Sequence, residues 1–345
     1  MAIASPEEMV GKASLTASTA DAAYSVLRQG QARKLIELVQ DQSVMMKLAL
    51  HTGIEGVGID LGNIDMSLGK VSGGIAEGTG VTAGQENIPV FGGIELVPKT
   101  YRMKLPISTE KLMQVNVEGP ALGDTVMRMA GAQLGNDLEY IAINSATGGS
   151  NLAGANTGYL TTIEGWREKA KSGHIYDHAS GYVNIALFKG MLDALPLRWR
   201  RGALGPLRFF TSVKLVDGYV DYISRRSTPF GDAALTGNMA LSLDGQLSYR
   251  GIPIIGVDYI LDTYDGYLEY SGTQDRYGWI LLTPANNLAV AWGPQMRMFR
   301  HPSDDGIFLY VNWWGQMDVG FPILDAVVTG MNIVPEVNPS LLPAY

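Results

Sequence analysis

The chain has 345 residues, 46% hydrophobic and 17% charged, with 34 acids against 26 lysines and arginines for a formal charge of −8. That length can bury a substantial core in about two or three lobes, and the acidic balance repels nucleic acid, which excludes a dedicated DNA-binding module. The absence of cysteine excludes a disulfide scaffold, a thiolate metal site and a cysteine nucleophile, and it fits a reducing compartment.

Charged content is below the roughly 25% usual for soluble domains, which predicts surface buried against partner subunits. No apolar run reaches the roughly 18 residues of a membrane helix. The start, "MAIASPEEMVGK", places acids before its first lysine and has no apolar segment of the secretory kind. The expectation is a soluble chain that stays in the cytoplasm where it is made.

In chain order, residues 1–18 read as extended. From Thr19, Ala23, Leu27, Ala32, Leu35, Leu38 and Val39 share a helical face, with Gly30 as a break, which predicts one or two helices over 20–42. Residues 53–93 then hold 12 of the 42 glycines and lose the helical period. Ile59, Ile64, Met66, Leu68 and Val71 keep a loose strand character, and "ENIPVFGGIELVPKTYRMKLPIS" resumes as strand, with Pro98 as a phase break. Two strand arms around a glycine tip predict a long β-hairpin, too long to be a mere connector.

A capped "STEKLMQVN" and then "ALGDTVMRMAGAQLGNDLEYIAINSATG" predict a short helix and a long one. Leu122, Val126, Met129, Ala130, Leu134, Leu138, Ile141 and Ala142 hold the helical period, Pro120 suits the first turn and Gly148 the stop. Residues 148–182 read as a turn-rich connector. From Val183 to Val257, helix "NIALFKGMLDALPLRWRR", strand "LRFFTSV", helix "KLVDGYVDYISRR" and strand "IPIIGV" predict a compact α/β lobe. From Gly278 the segments "WILLT", "LAVAWG", "QMRMFR", "IFLYVNWWGQMDVGF" and "DAVVTGM" predict antiparallel strands, followed by an irregular tail.

The glycine stretch "VSGGIAEGTGVTAG" (71–84) contains Gly73, Gly74, Gly78, Gly80 and Gly84. "GTGVTAG" misses the dinucleotide spacing by one position. A phosphate cradle also needs a helix directly after it, whereas Gln85-Glu86-Asn87-Ile88-Pro89 and a strand follow here, so the glycines supply flexibility. "HIYDH" offers His174 and His178 around Asp177, a metal pair only on a helix; between Gly173 and Gly181 it reads as a polar surface loop. His51 and His301 have no motif around them. Asp304 and Asp305 in "HPSDDG" suit a hairpin turn. No serine nucleophile elbow occurs. Arg198, Arg200, Arg201 and Arg208, with Arg225 and Arg226 beyond, form a basic cluster open to three readings: pairing with neighbouring acids, contact between subunits, or contact with enclosed DNA.

The order of parts (helical arm, glycine-tipped hairpin, return strand, very long helix, α/β lobe, final strands) resembles the major capsid proteins of tailed bacteriophages, the Hong Kong 97-type fold. "IELVPKTYRMKLPISTEKLMQVN" running into "ALGDTVMRMAGAQLGNDLEYIAINSATGG" resembles the family's hairpin arm leading into its spine helix, and "TGYLTTIEG" (157–165) its passage to the next lobe. The likeness covers about residues 20–335 and is one of layout. It implies an α+β chain divided into an N-terminal arm (1–50), an extended loop (51–100), a peripheral domain with the spine helix (101–182), an axial domain (183–275), and peripheral strands with the tail (276–345).

The implied role is structural, without catalysis, cofactor or metal. Hexamers and pentamers of this one chain would build an icosahedral shell around double-stranded DNA, assembled in the host cytoplasm, the hairpin of each subunit lying over a neighbour. Lys70 and the tip glycines would then be assembly residues. Members that crosslink pair a hairpin lysine with a neighbour's asparagine, for which Lys70, Asn332 and Asn338 are the residues at hand. An arm helix starting near residue 20 leaves no room for an N-terminal scaffolding segment: either a separate scaffolding protein acts, beside a portal and decoration proteins, or the chain is an already trimmed form, and Met1 favours the former. Two other readings stay open: an encapsulin-type compartment, and a soluble α/β enzyme with a glycine-rich ligand loop.

Overall fold

A computed structural model describes residues 43–54, 58–65, 90–108, 122–147, 158–200, 204–224, 247–258, 260, 278–294, 296–302, 305 and 307–334. The expected arm helices over 20–42, the short helix of 108–116 apart from Ser108, the glycine tip and the tail lie outside these residues.

A one-turn helix α1 (Met45–Leu48) leads into strand β1 (Leu50–Gly53). Strands β2 (Ile59–Asp65) and β3 (Val90–Leu96) pair antiparallel from Ile59↔Leu96 to Asp65↔Val90, forming the arms of the predicted hairpin as a separate two-stranded ribbon. The phase break falls at Val97-Pro98, after which β4 (Lys99–Ser108) leaves the ribbon for a different sheet. Helix α2 (Leu122–Asn144) is the predicted long helix, 23 residues and roughly 34 Å at 1.5 Å per residue. It ends four residues ahead of Gly148, so glycine does not set its end.

"HIYDH" corrects the expected loop. It lies in strand β5 (His174–Tyr182), which follows the short helix α3 (Trp166–Lys169). The reason is packing: Tyr176 closes on helix α4 (Ile185–Ala194) where Gly190 has no side chain, and a Cβ at Gly190 would lie 2.2 Å from the ring. The expected single helix over 184–201 is two, α4 and α5 (Leu197–Arg200), separated at Leu195-Pro196. A proline disfavours helical backbone in the residue before it. Strand β6 (Leu207–Thr211), helix α6 (Val213–Ser224), and strands β7 (Ser248–Tyr249) and β8 (Ile252–Gly256) complete the α/β stretch.

The last strands, β9 (Gly278–Pro284), β10 (Ala289–Trp292), β11 (Arg297–Pro302), β12 (Phe308–Gly320) and β13 (Val328–Val334), divide between two sheets. One has five strands. β12 lies between β4 and β11, both antiparallel to it; β10 also pairs with β12, and β1 joins β10 in parallel. The other has six, in the order β5-β13-β9-β6-β8-β7. The α/β lobe is therefore not one continuous stretch of chain, since β9 and β13 enter its sheet from beyond residue 275.

Alternation along β12 decides where the core sits. Val311, Trp313, Met317 and Val319 face inward and pack with Leu134, Leu138 and Ile141 of α2. The six-stranded sheet packs Phe209, Ile280, Leu282 and Val328 against Leu187, Phe188 and Met191 of α4. Two of the crossovers between the sheets, β9 to β10 and β12 to β13, are stitched by one buried residue. The Asn287 amide nitrogen donates to the Ile323 carbonyl (2.8 Å), and its oxygen accepts the Ile323 N–H (2.9 Å).

Candidate assembly elements

The hairpin is rooted on the outer face of the five-stranded sheet. Leu96 is fully buried and, with Ile94, Leu61 and Ile59, packs on Ala289, Ala291 and Ile54. Full burial of Leu96 alone is worth about 1.5–3 kcal/mol. Gly320 permits the approach, because a Cβ there would lie 2.4 Å from Ile94 Cδ1 and 2.8 Å from Leu96 Cδ2.

Asp318 then fastens the exit of the ribbon. Its Oδ2 accepts the Val97 N–H at 2.9 Å, and its Oδ1 accepts the Val319 N–H at 2.8 Å and meets Lys169 Nζ at 3.3 Å. Lys169 also donates to the Val319 carbonyl. A buried carboxylate is tolerated where charge and hydrogen bonds fill its lone pairs. Tyr101, in the inner cluster, feels this charge: burial first, then the Asp318 charge, raises its hydroxyl far above the usual phenol range, and so it stays neutral.

A second carboxylate holds the N-terminal segment. Glu139, on the inward stripe of α2, is fully buried. Its Oε1 accepts the N–H groups of Val44 (2.8 Å) and Met45 (2.6 Å) at the start of α1, while Oε2 has no hydrogen-bond partner. Burial, more than the Asp258 charge, raises this carboxyl above its ordinary range despite the backbone donors. His51 adds a neutral clip: Trp292 Nε1 donates to its Nδ1 at 2.9 Å, so its Nε2 donates to the Met46 carbonyl at 2.6 Å. Burial lowers its pKa accordingly.

The basic cluster is not one site. Arg198 Nε donates to Asp325 Oδ2 at 3.1 Å and its guanidinium lies over the Trp199 ring. Trp199 Nε1 also donates to Oδ2, and His174 Nε2 meets Oδ1 at 3.1 Å. Burial alone would raise the Asp325 carboxyl, but these bonds together with the Arg198 charge hold it below its ordinary range. Arg200 donates to the carbonyls of Leu195 and Asp193 and approaches the Asp193 carboxylate at 3.4 Å. Arg208 stands apart on β6, opposite Thr283, with its Nε buried and unpartnered. Arg201, Arg225 and Arg226 lie outside the described residues. For Arg198 and Arg200, pairing with neighbouring acids is the arrangement found.

Other sequence candidates scatter. His174 binds Asp325, and His178 Nε2 meets the Tyr182 carbonyl at 3.0 Å, so "HIYDH" does not converge on a metal. Asp177 Oδ1 accepts from the Ala179 N–H and from the Asn332 amide at 2.9 Å, so Asn332 is engaged within its own chain, at a bulge with φ of +57°. Asp305 is an exposed residue between β11 and β12. Lys70, Gly73, Gly74, Gly78, Gly80, Gly84, Asp304 and Asn338 lie outside the described residues.

Sequence reading passed over Glu139 and Asp318. The signal for Glu139 was an acid inside the apolar stripe Leu134–Leu138–Ala142. Asp318 left none, because its phase along β12 is that of the outward residues Trp314 and Gln316, yet it is buried.

No family model matches the chain. Over 296 residues it is 26% identical to the protein named as prophage capsid protein YqbE of Bacillus subtilis (strain 168), covering 85% of this chain and 87% of that protein. The fold matches a chain of the satellite phage P4 procapsid that includes the size determination (Sid) protein, with a TM-score of 0.59 at 12% identity over 92% of this chain and 94% of that one. It also matches the SrpI encapsulin of Synechococcus elongatus PCC 7942, with a TM-score of 0.51 at 11% identity over 87% and 90%. The fold is the α+β fold of phage capsid proteins, shared with an encapsulin.

Proposed function

We propose that the chain is a structural major capsid protein: a subunit that self-assembles, as hexamers and pentamers, into an icosahedral shell enclosing phage DNA. The observation that carries this reading is the match to the P4 procapsid over nearly the whole of both chains, joined by the named prophage capsid relative at 26% identity. The geometry supports it. A rigid body of two stitched sheets carries two appendages, the N-terminal segment and the hairpin, each fastened at its root by a buried carboxylate. Fixed roots transmit the position of the body to arms that reach a neighbour. A separate scaffolding protein, a portal and decoration proteins are further partners on this reading, and the virion capsid is its location. The role is one of assembly rather than catalysis.

The SrpI match supports a second reading, an encapsulin-type compartment that houses protein cargo. Expression of the full chain in a bacterial host, electron microscopy of the product and analysis of its contents separate the readings. Closed shells, or capsomers that close on addition of a scaffolding protein, are expected. Shells that enclose a protein cargo in place of nucleic acid favour the compartment. A monodisperse monomer under all conditions overturns both.

A further inference from the structure

The outer face of the five-stranded sheet is only partly covered by the hairpin root. Beyond Ala291 and Gly320 its residues on β12 are Tyr310, Asn312, Trp314 and Gln316, all partly exposed. Across the ladder they meet Pro106, Lys104, Arg102 and Thr100 of β4 on one side; on the other, Trp314 is opposite Arg297 of β11. In an acidic chain this face concentrates cations. The Arg102 and Arg297 guanidinium groups lie 5.7 Å and 5.0 Å from the Trp314 ring centre, and Lys104 Nζ lies 4.1 Å from that of Tyr310. Among the described residues, none of the three cations has a carboxylate partner. Arg297 Nε and Trp314 Nε1 are buried donors without an acceptor. What the face lacks is an acceptor carrying negative charge.

The ribbon shows the converse. Asp60 and Glu95 sit directly opposite one another across the β2–β3 ladder, both exposed, and among the described residues neither has a cation. Like charges directly opposite on a strand pair destabilise it, and a lone two-stranded ribbon is marginal in water. Two unpaired acids on one element and three unpaired cations on another, within a single chain, are complementary between two copies. The composition of the face agrees, since Trp, Tyr and Arg are the side chains enriched where proteins bind proteins. Its rings already lie under cations, so they offer no open platform for stacking bases.

We infer that the outer face formed by Arg102, Lys104, Arg297, Tyr310 and Trp314 receives the Asp60/Glu95 pair of the ribbon of a second copy of this chain. The inference rests on the capsid-subunit reading and supplies its contact: carboxylate on guanidinium and ammonium, at a seat already floored by aromatic rings. A buried Arg–carboxylate pair also sets register, because its hydrogen bonds are directional.

Charge reversal tests it. Arg102→Glu with Lys104→Glu, and separately Asp60→Lys with Glu95→Lys, are each expected to leave folded subunits with wild-type circular dichroism that no longer assemble, and all four changes together to restore assembly. The absence of native cysteine gives a second readout: Glu95→Cys with Lys104→Cys, oxidised in assembled particles, should give a ladder of covalently linked subunits. Reversed-charge variants that assemble as wild type overturn the inference, as does a fourfold variant that stays dispersed, or particles that yield no ladder. An R102E/K104E shell that forms normally but loses enclosed nucleic acid also overturns it, and reassigns the face to DNA. Wild-type subunits that never assemble fail the underlying reading itself.

Discussion

The two sheets bury their cores in different ways. The six-stranded sheet and its helices close on an apolar cluster, with Phe188 at its centre: its ring lies 5.1 Å from that of Phe209, 4.6 Å from Tyr219 and 5.6 Å from Tyr249. The five-stranded sheet and helix α2 enclose a larger apolar cluster, yet buried carboxylates hold its margins wherever an appendage joins: Glu139 for the N-terminal segment, Asp318 for the hairpin. Apolar contacts are non-directional and tolerate sliding. A carboxylate bonded to two named N–H groups fixes position and direction. The polar cost is therefore concentrated where the N-terminal segment and the hairpin meet the body.

The largest effect that tests this contrast lies in the apolar lobe. Phe188→Ala removes the ring at the centre of the aromatic set and should cost about 3–5 kcal/mol, read as a lowered denaturation midpoint. Hydrogen exchange at the hairpin root should stay unchanged in the native state. If Val97 loses protection as much as the lobe does, the two cores are one cooperative unit and the contrast fails.

Asp318→Ala comes next. It frees the Val97 N–H and leaves Lys169 half-buried without its carboxylate, a loss of about 1.5–3 kcal/mol for hydrogen bonds to a charged group. Faster exchange at Val97 and Val319 is expected, with exchange in the six-stranded sheet unaltered. Gly320→Ala should follow at about 1–3 kcal/mol for an overpacked contact. The colliding atoms are the ends of the Ile94 and Leu96 side chains, which can turn aside in part. A fall in assembly larger than the fall in stability would show the root angle itself to matter; equal falls would mean the root is ordinary core.

Much of this layout was legible in the sequence, and what was missed has a common physical cause. The long helix, the ribbon arms and the strands after Gly278 follow from local periodicity, which needs no knowledge of partners. "HIYDH" did not: as strand β5 it depends on β13 lying beside it and on Gly190 making room for Tyr176, contacts some 150 and 14 residues away. The arginine cluster was legible as charge, but its partners were not, since Asp325 is 127 residues from Arg198. Asp318 reads as an outward residue, yet it is buried. The cationic face needed register, because Arg102, Trp314 and Arg297 become neighbours only when three strands are aligned.

The smallest effect is the most specific. Glu139→Gln keeps an oxygen to accept from Val44 and Met45 while removing the buried charge. Burial raises the folded carboxyl above its ordinary value of 4.5, so the folded chain binds the proton more tightly than the unfolded chain does. That stabilisation is complete below the unfolded pKa and is lost as pH rises through the folded value. The Gln variant has no such dependence. It should therefore match the wild type near pH 4 and exceed it at pH 7 by on the order of 1 kcal/mol, seen as a higher melting temperature only at the upper pH. If the variant is instead less stable at pH 7, the ionised carboxylate is a net favourable clamp on α1. Position at this root would then come from charge rather than from hydrogen-bond geometry alone.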